Sequence, residues 1–168
     1  LQACARACVG SGGGADVEGA ARAIDAMRQT RVVPDVVSWT LYIQACARAH
    51  LEPSVVRDPA AAGGADSVRA FQAHRAMTAA GLVPKLNTWT ALLSACTMSR
   101  QHNGGADVAG AWRVVELIEH HGKAPTLQCW NLVVEACARA RIGPNGAPDV
   151  DGAFEVVRRI RLAGLQPD

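Results

Sequence analysis

Apolar residues recur along this chain with the spacing of one helical face. Three tryptophans each precede a cysteine by seven residues, with an aliphatic residue four places after the tryptophan. Positions i, i+4 and i+7 lie on the same side of an α-helix, so each set predicts one amphipathic helix. The sets are Trp39, Ile43 and Cys46; Trp89, Leu93 and Cys96; and Trp130, Val134 and Cys137.

A second apolar stripe follows each of these helices and begins after a recurring Gly-Ala-Asp motif. Counted from Asp107, the apolar places are four, five, eight and eleven residues later, at Ala111, Trp112, Val115 and Ile118. This spacing predicts a second helix, and the Asp carboxylate is expected to cap its first turn, worth roughly 1 kcal/mol. The motif occurs with Asp16, Asp66 and Asp107, and with a Pro inserted before Asp149.

Each second helix is expected to end at a residue in the left-handed conformation. Gly81, Gly122 and Gly164 occupy this place, and a Pro three residues later prevents the helix from continuing. The first copy has Arg31 at the Gly place, so the sequence predicts a less sharply defined end for that helix.

The two helices alternate in a repeating unit that is too small to bury both apolar stripes by itself. Stacked neighbours complete the core, which predicts an all-α fold of antiparallel helix pairs. No segment has the pattern of a β-strand. We predict whole units at residues 36–85, 86–126 and 127–168, preceded at residues 1–35 by a truncated unit, as part of a longer array.

The composition is compatible with such an array. The chain has 168 residues and is 49% hydrophobic but only 4% aromatic, so small side chains, chiefly Ala, must form most helix contacts. No apolar run is long enough to cross a membrane. The net charge of +2 is too small for binding nucleic acid by electrostatics alone.

Arginines recur two residues after the repeating cysteine. Arg6, Arg48 and Arg139 occupy this place, while the third unit has Met98 there. Stacking of the units would align these side chains in a row that could contact a phosphate backbone. Alternatively, they are solvated side chains that complement the dipoles of the helix ends.

The cysteines and histidines lack the pattern of a metal or catalytic site. Cys46, Cys96 and Cys137 occupy equivalent places in successive units and are expected to be small buried residues. The five histidines match no known motif and are interpreted as surface residues or helix ends. We therefore expect no metal, no cofactor, no small-molecule substrate and no enzymatic activity.

The connection between the two helices of a unit varies in length, whereas the rest of the unit does not. The longest connection, at residues 51–65, is rich in Pro, Ala and Gly. Such insertions emerge from one edge of the array. They are either tolerated surface loops or contacts for a protein or RNA partner.

The units resemble pentatricopeptide repeats. The resemblance rests on Val-Ser-Trp-Thr-Leu-Tyr-Ile at residues 37–43, Asn-Thr-Trp-Thr-Ala-Leu-Leu at 87–93, Gln-Cys-Trp-Asn-Leu-Val-Val at 128–134, and unit endings such as Gly-Leu-Val-Pro-Lys at 81–85. It covers the whole chain, although these units exceed the family's usual length through the inter-helix loop. The resemblance implies a right-handed α-solenoid that binds single-stranded RNA, nominally one base for each unit.

In this family, a residue just inside the first helix and the last residue of the unit read the base together. Carried over, the pairs are Thr40 with Lys85, Thr90 with Thr126, and Asn131 with Asp168, and the truncated unit contributes Asp35. Only the pair of Asn131 with Asp168 implies a particular base, which is uracil. The family also clamps bases between residues near the start of successive first helices, here Val37, Asn87 and Gln128.

Two functions are compatible with these residues. The resemblance implies an RNA-binding adaptor in mitochondria or chloroplasts that acts in RNA stabilisation, processing or translation. The alternative is a structural component of an organellar ribosome or another large ribonucleoprotein, which contacts ribosomal RNA and neighbouring proteins. Both interpretations name RNA as the partner and neither involves a membrane.

Overall fold

Short α-helices form most of the chain in the computed structural model, which describes residues 1–3, 15–49, 64–100, 105–142 and 145–166. Seven helices lie wholly within these ranges, and the only β-pairing there is an isolated bridge between Ile142 and Ala147. The helices are α1 (Val17–Gln29), α2 (Val36–Ala47), α3 (Ser67–Ala79), α4 (Leu86–Met98), α5 (Val108–His120), α6 (Leu127–Arg139) and α7 (Val150–Leu162). The all-α prediction is confirmed.

The helices are arranged as a helical repeat solenoid. The first helices α2, α4 and α6 pack side by side, with α4 in the middle. The second helices α3 and α5 each pack against the first helix of their own predicted unit and against the first helix of the next. Helix α1 packs on α2, and α7 packs on α6. Each second helix between two units therefore fills the space between two first helices.

The predicted apolar stripes form one continuous core. Trp39, Trp89 and Trp130 are no more than 4% exposed, and the cysteines seven residues later on the same helical face are fully buried. One cluster of buried side chains extends from Val17 in α1 to Ile160 in α7. The shared apolar seam predicted from the sequence is therefore confirmed over the described residues.

The Asp residue of the Gly-Ala-Asp motif caps each second helix, as predicted. Each carboxylate accepts a hydrogen bond from the backbone N–H three residues later, at 2.7 to 2.9 Å. The four caps are Asp16, Asp66, Asp107 and Asp149. The motif thus fixes where the second helix begins.

The same motif joins successive units through backbone hydrogen bonds, which the sequence analysis did not predict. In the third copy, the Asp107 N–H donates to the Cys96 carbonyl of its own unit at 3.0 Å. The Ala106 N–H donates to the Arg139 carbonyl of the next unit at 3.2 Å. The motif therefore holds the C-terminal ends of two neighbouring first helices together. The second copy makes the same two bonds, from Asp66 to Cys46 and from Ala65 to Met98.

The Gly of the motif allows the close approach that these hydrogen bonds need. A Cβ on Gly105 would lie 2.4 Å from the backbone nitrogen of Arg141 in the next unit. A Cβ on Gly64 would lie 2.5 Å from the backbone nitrogen of Arg100. Backbone atoms in a packed junction cannot move aside as the end of a side chain can, so the motif requires Gly at this place.

The end of α1 shows that the prediction for Arg31 was wrong. Arg31 has a φ of 57°, close to the values of 75° for Gly81 and 66° for Gly122. The following N–H, of Val32, donates to the Met27 carbonyl at 2.8 Å and closes the helix as the equivalent bonds do in the other units. The helix end is sharply defined, and Arg31 adopts a left-handed conformation that costs an L-residue about 1–2 kcal/mol.

Candidate nucleic-acid interface

An open groove of about 450 Å³ crosses the three first helices. All of its lining residues belong to α2, α4 and α6 or to the C-terminal cap of α2. We call it the first-helix groove. Its polar lining consists of Gln44, Arg48, Thr90, Ser94, Gln128, Asn131 and Glu135.

Helical spacing explains why these side chains lie together. Thr90, Ser94 and Met98 are four residues apart on α4, so they share one face of that helix. Because α2 and α6 pack on either side of α4, equivalent places on the three helices align in three rows, and all their members except Thr40 and Arg139 line the groove. The rows are Thr40, Thr90 and Asn131; Gln44, Ser94 and Glu135; and Arg48, Met98 and Arg139.

Two of the three first-helix residues assigned to base reading line the groove. Asn131 is exposed and Thr90 is half-buried, so the Asn131 amide is open to a ligand. Thr40 is only 8% exposed, and its hydroxyl lies 2.7 Å from the Val36 carbonyl oxygen and 2.8 Å from the Thr88 hydroxyl. With one proton on each hydroxyl, Thr40 donates to Val36 and accepts from Thr88.

The last residue of each of the first three units occupies the N-cap position of the following first helix. Asp35, Lys85 and Thr126 are the exposed N-caps of α2, α4 and α6. Hydrogen bonds from the backbone N–H and the hydroxyl of Ser38 hold the pKa of Asp35 below its usual value. Asp168 lies outside the described residues. These three side chains therefore stand at the exposed beginnings of the first helices.

The residues assigned to base clamping are all exposed. Val37 is 58% exposed, and Asn87 and Gln128 are exposed at the equivalent second residue of α4 and α6. Gln128 also lines the first-helix groove. The structure thus leaves all three accessible, but it brings only Gln128 into the groove with Thr90 and Asn131.

The arginines assigned to phosphate contacts lie at the C-terminal ends of the first helices. Arg48 caps α2, is exposed and lines the groove. The Arg139 guanidinium lies 3.0 Å from a Glu135 carboxylate oxygen and 3.0 Å from the Met98 sulfur. Arg139 and Met98, which occupy equivalent places in successive units, are therefore in contact. Arg6 lies outside the described residues.

The buried cysteines behave as the sequence predicts. Cys46, Cys96 and Cys137 are fully buried. Burial raises the pKa of the Cys46 thiol to about 12 and that of Cys137 to about 11. A thiol with such a pKa is protonated at neutral pH and is a poor nucleophile. Cys129 is also buried, at 1% exposure.

The surface interpretation of the histidines was wrong for His74. This residue is only 4% exposed and lies in α3 against Trp89 of α4, with the ring centroids 5.1 Å apart. The sequence contains a signal that identifies it, because His74 is eight residues after Asp66, the apolar place that Val115 occupies in the next unit. His120, at the end of α5, is exposed as expected.

A metal site and a membrane-spanning helix are both absent from the described residues. They contain no group of three or more His, Cys, Asp or Glu side chains that could hold a metal ion. Among the helices they form, none has both the length and the apolarity that a membrane crossing requires.

Comparison with known proteins identifies related repeats. A pentatricopeptide repeat domain model matches residues 73–139, from α3 to the end of α6. The sequence matched no protein in a search of curated proteins.

Two solved structures are similar to this chain at a TM-score of 0.54. Both are crystal structures of the pentatricopeptide repeat protein PPR10 with an 18-nt psaJ RNA element, and one of them carries three Cys-to-Ser substitutions. They are 19% and 18% identical in sequence and match over 90% of this chain, which spans 23% of the PPR10 chain. The shared fold and the match to the family model agree with the resemblance drawn from the motifs: residues 73–139 of this chain match a pentatricopeptide repeat domain.

Proposed function

We propose that the chain binds single-stranded RNA in the first-helix groove. The observation that carries this proposal is the groove itself, which crosses three successive first helices and collects Arg48, Thr90 and Asn131. An exposed amide can donate to and accept from the edge of a base, and a guanidinium can bind phosphate oxygens. That PPR10, a protein of the same fold, was crystallised with RNA supports the class of ligand.

Base selection in this proposal is concentrated at Asn131. Its exposed amide, with Asp168, would select uracil, as the family resemblance implies. Thr40 contributes little, because its hydroxyl is hydrogen-bonded to Val36 and Thr88 inside the protein. The clamp places of α4 and α6 hold the polar Asn87 and Gln128, so stacking, worth about 1–3 kcal/mol per base in other proteins, is reduced. Backbone contacts then supply much of the affinity.

Replacing Asn131 with Thr should move the base preference at one register from uracil toward guanine. Losing the amide removes its hydrogen bonds to the uracil edge, which we expect to lower affinity for uridine-containing RNA roughly tenfold at that register. The measurement is fluorescence anisotropy of short single-stranded RNAs that carry one uridine at each position in turn, at fixed salt. Asn145→Thr, the same change in an exposed turn, is the matched control.

An unchanged base profile in the Asn131→Thr variant would reject direct base reading by this residue. Equal changes in the Asn131→Thr and Asn145→Thr variants would do the same, since the second residue lies outside the groove lining. RNA binding without base preference would keep the groove as the site and leave only backbone recognition.

The second candidate is a structural role in an organellar ribonucleoprotein, such as an organellar ribosome. The Thr40 hydroxyl favours it, because it is buried and hydrogen-bonded inside the protein and so is not available to a base. This role predicts tight binding only to folded RNA or in the presence of a protein partner. For both candidates we propose a mitochondrial or chloroplast location, which imaging of a fluorescent fusion of the full-length protein would test.

A further inference from the structure

A second groove, of about 380 Å³, opens at the C-terminal ends of α4 and α6. Three arginines line it: Arg100, Arg139 and Arg141. Among the described residues that line it, none is Asp or Glu. All charged side chains of the lining are therefore positive, and although Arg139 is paired with Glu135, their combined charge attracts anions. We call it the arginine groove.

The arginine groove adjoins the first-helix groove. Met98 lines both. Arg139, in the arginine groove, lies 3.0 Å from the Met98 sulfur and 3.0 Å from Glu135, which lines the first-helix groove. An RNA strand that leaves the first-helix groove across Met98 would therefore enter the arginine groove directly.

The unit junctions hold Arg100 and Arg141 at repeat spacing. These two arginines occupy equivalent places, four residues after Cys96 and Cys137. Their backbones pack against Gly64 and Gly105 of the preceding units, so closely that a Cβ on either Gly would clash. The backbone positions of the two cations are therefore fixed at equivalent places of successive units.

We propose that the arginine groove binds backbone phosphates of the RNA strand as it leaves the first-helix groove, with Arg100 and Arg141 as the contacts. The proposal rests on the proposed function and extends it beyond the residues that the family resemblance indicates. Guanidinium groups bind phosphate oxygens in a two-pronged geometry, and such contacts are independent of base identity. The arginine groove thus adds affinity and salt dependence but no sequence preference.

The test uses the full chain with both arginines replaced, Arg100→Gln and Arg141→Gln. Fluorescence anisotropy with labelled short homopolymers of uridine, adenosine and cytidine is measured over a series of salt concentrations. We expect the double variant to bind each homopolymer roughly tenfold more weakly at low salt, and the slope of log K against log salt to fall by roughly 1.4, about 0.7 per lost contact. The matched control replaces the exposed Arg22 and Arg161, on α1 and α7, with Gln and should change neither quantity.

Each outcome decides between the two proposals. If the wild-type chain binds RNA and the double variant keeps both its affinity and its salt slope, the arginine groove is not a phosphate site, while the proposed function stands. If the wild-type chain binds none of the three RNAs, both proposals fall. A loss confined to one homopolymer would also overturn base-independent phosphate binding.

A charge-preserving pair separates phosphate binding from a structural role. Arg100→Lys with Arg141→Lys keeps both charges and should retain most of the salt slope. Thermal unfolding followed by circular dichroism shows whether the Lys variant is still folded. If it is as stable as the wild type but its slope of log K against log salt falls as much as that of the Gln variant, phosphate binding by charge is overturned.

Discussion

Replacing His74 with Val should reduce the stability that the protein loses between about pH 7 and about pH 4. Burial, followed by the charges of His121, Arg113 and Arg75, lowers the pKa of His74 to about 4. The unfolded chain takes up this proton near pH 6.5, whereas the folded chain takes it up only near pH 4. The free energy of unfolding therefore falls as the pH drops through this window, by up to about 3 kcal/mol for this one group.

The surroundings of His74 explain why its charged form is unfavourable. Its Nε2 atom is buried and has no hydrogen-bond partner among the described residues. Trp89 packs against it and against His121, with ring centroids 5.1 and 5.4 Å apart. Arg113 on α5 and Arg75 on α3 itself add positive charge nearby. A proton on His74 would thus place an unpaired charge in the contact between α3, α4 and α5.

The measurement is urea unfolding, followed by circular dichroism, at several pH values between about 7 and about 4. The Val variant should lose less stability across this range than the wild type, by roughly 2–3 kcal/mol. Val is the residue at the equivalent place in the next unit, Val115, so it suits the site. His120→Asn, at an exposed position, is the control. Equal losses in the wild type and the His74→Val variant would show that His74 is not the group responsible.

Replacing Gly105 with Ala should destabilise the protein by about 2–3 kcal/mol. The new Cβ would lie 2.4 Å from the backbone nitrogen of Arg141 and 3.1 Å from the carbonyl carbon of Ala140. The third and fourth units would have to move apart, which breaks the hydrogen bond from the Ala106 N–H to the Arg139 carbonyl. Thermal and urea unfolding of the variant measure the loss.

Gly110→Ala is the matched control, because it makes the same change five residues later, in the first turn of the helix that follows the motif. The three nearest atoms to a Cβ there belong to the Asp107 carboxylate and not to backbone. Arg69 occupies the equivalent place in the second unit, carries a Cβ, and still donates to the Asp66 cap at 2.9 Å. The control should change stability by no more than about 1 kcal/mol. If both variants lose stability equally, the close approach at Gly105 is not what couples the units.

The sequence predicted the helices because side-chain periodicity encodes them directly. The tryptophans and cysteines at i and i+7 and the Asp caps are local signals, and they depend on only one helix. The backbone hydrogen bond from the Ala106 N–H to the Arg139 carbonyl could not be predicted in this way, because it connects two units. Every residue has the same backbone atoms, so a backbone hydrogen bond leaves no pattern of side-chain types in the sequence. Only the recurring Gly and Ala of the motif are compatible with a close approach of two units.

The residues that differ from the sequence-based expectation do so for different physical reasons. His74 was judged by its residue type, whereas its place in the apolar stripe decided its burial. Thr40 is buried where its hydroxyl forms a hydrogen bond with the hydroxyl of Thr88 in the next unit. This contact exists only when α2 and α4 pack together, so the sequence of one helix does not reveal it. Arg31 takes the left-handed conformation because the turn requires it, against its own preference.

Photocrosslinking tests the central claim, RNA binding in the first-helix groove, most directly. Single-stranded RNA containing thiouridine is bound to the full chain, irradiated, and the crosslinked peptides are identified by mass spectrometry. Binding in the first-helix groove predicts crosslinks in α4 and α6, around Thr90 and Asn131, that are lost when an excess of unlabelled RNA competes. Crosslinks confined to the second helices α1, α3, α5 and α7 would contradict it.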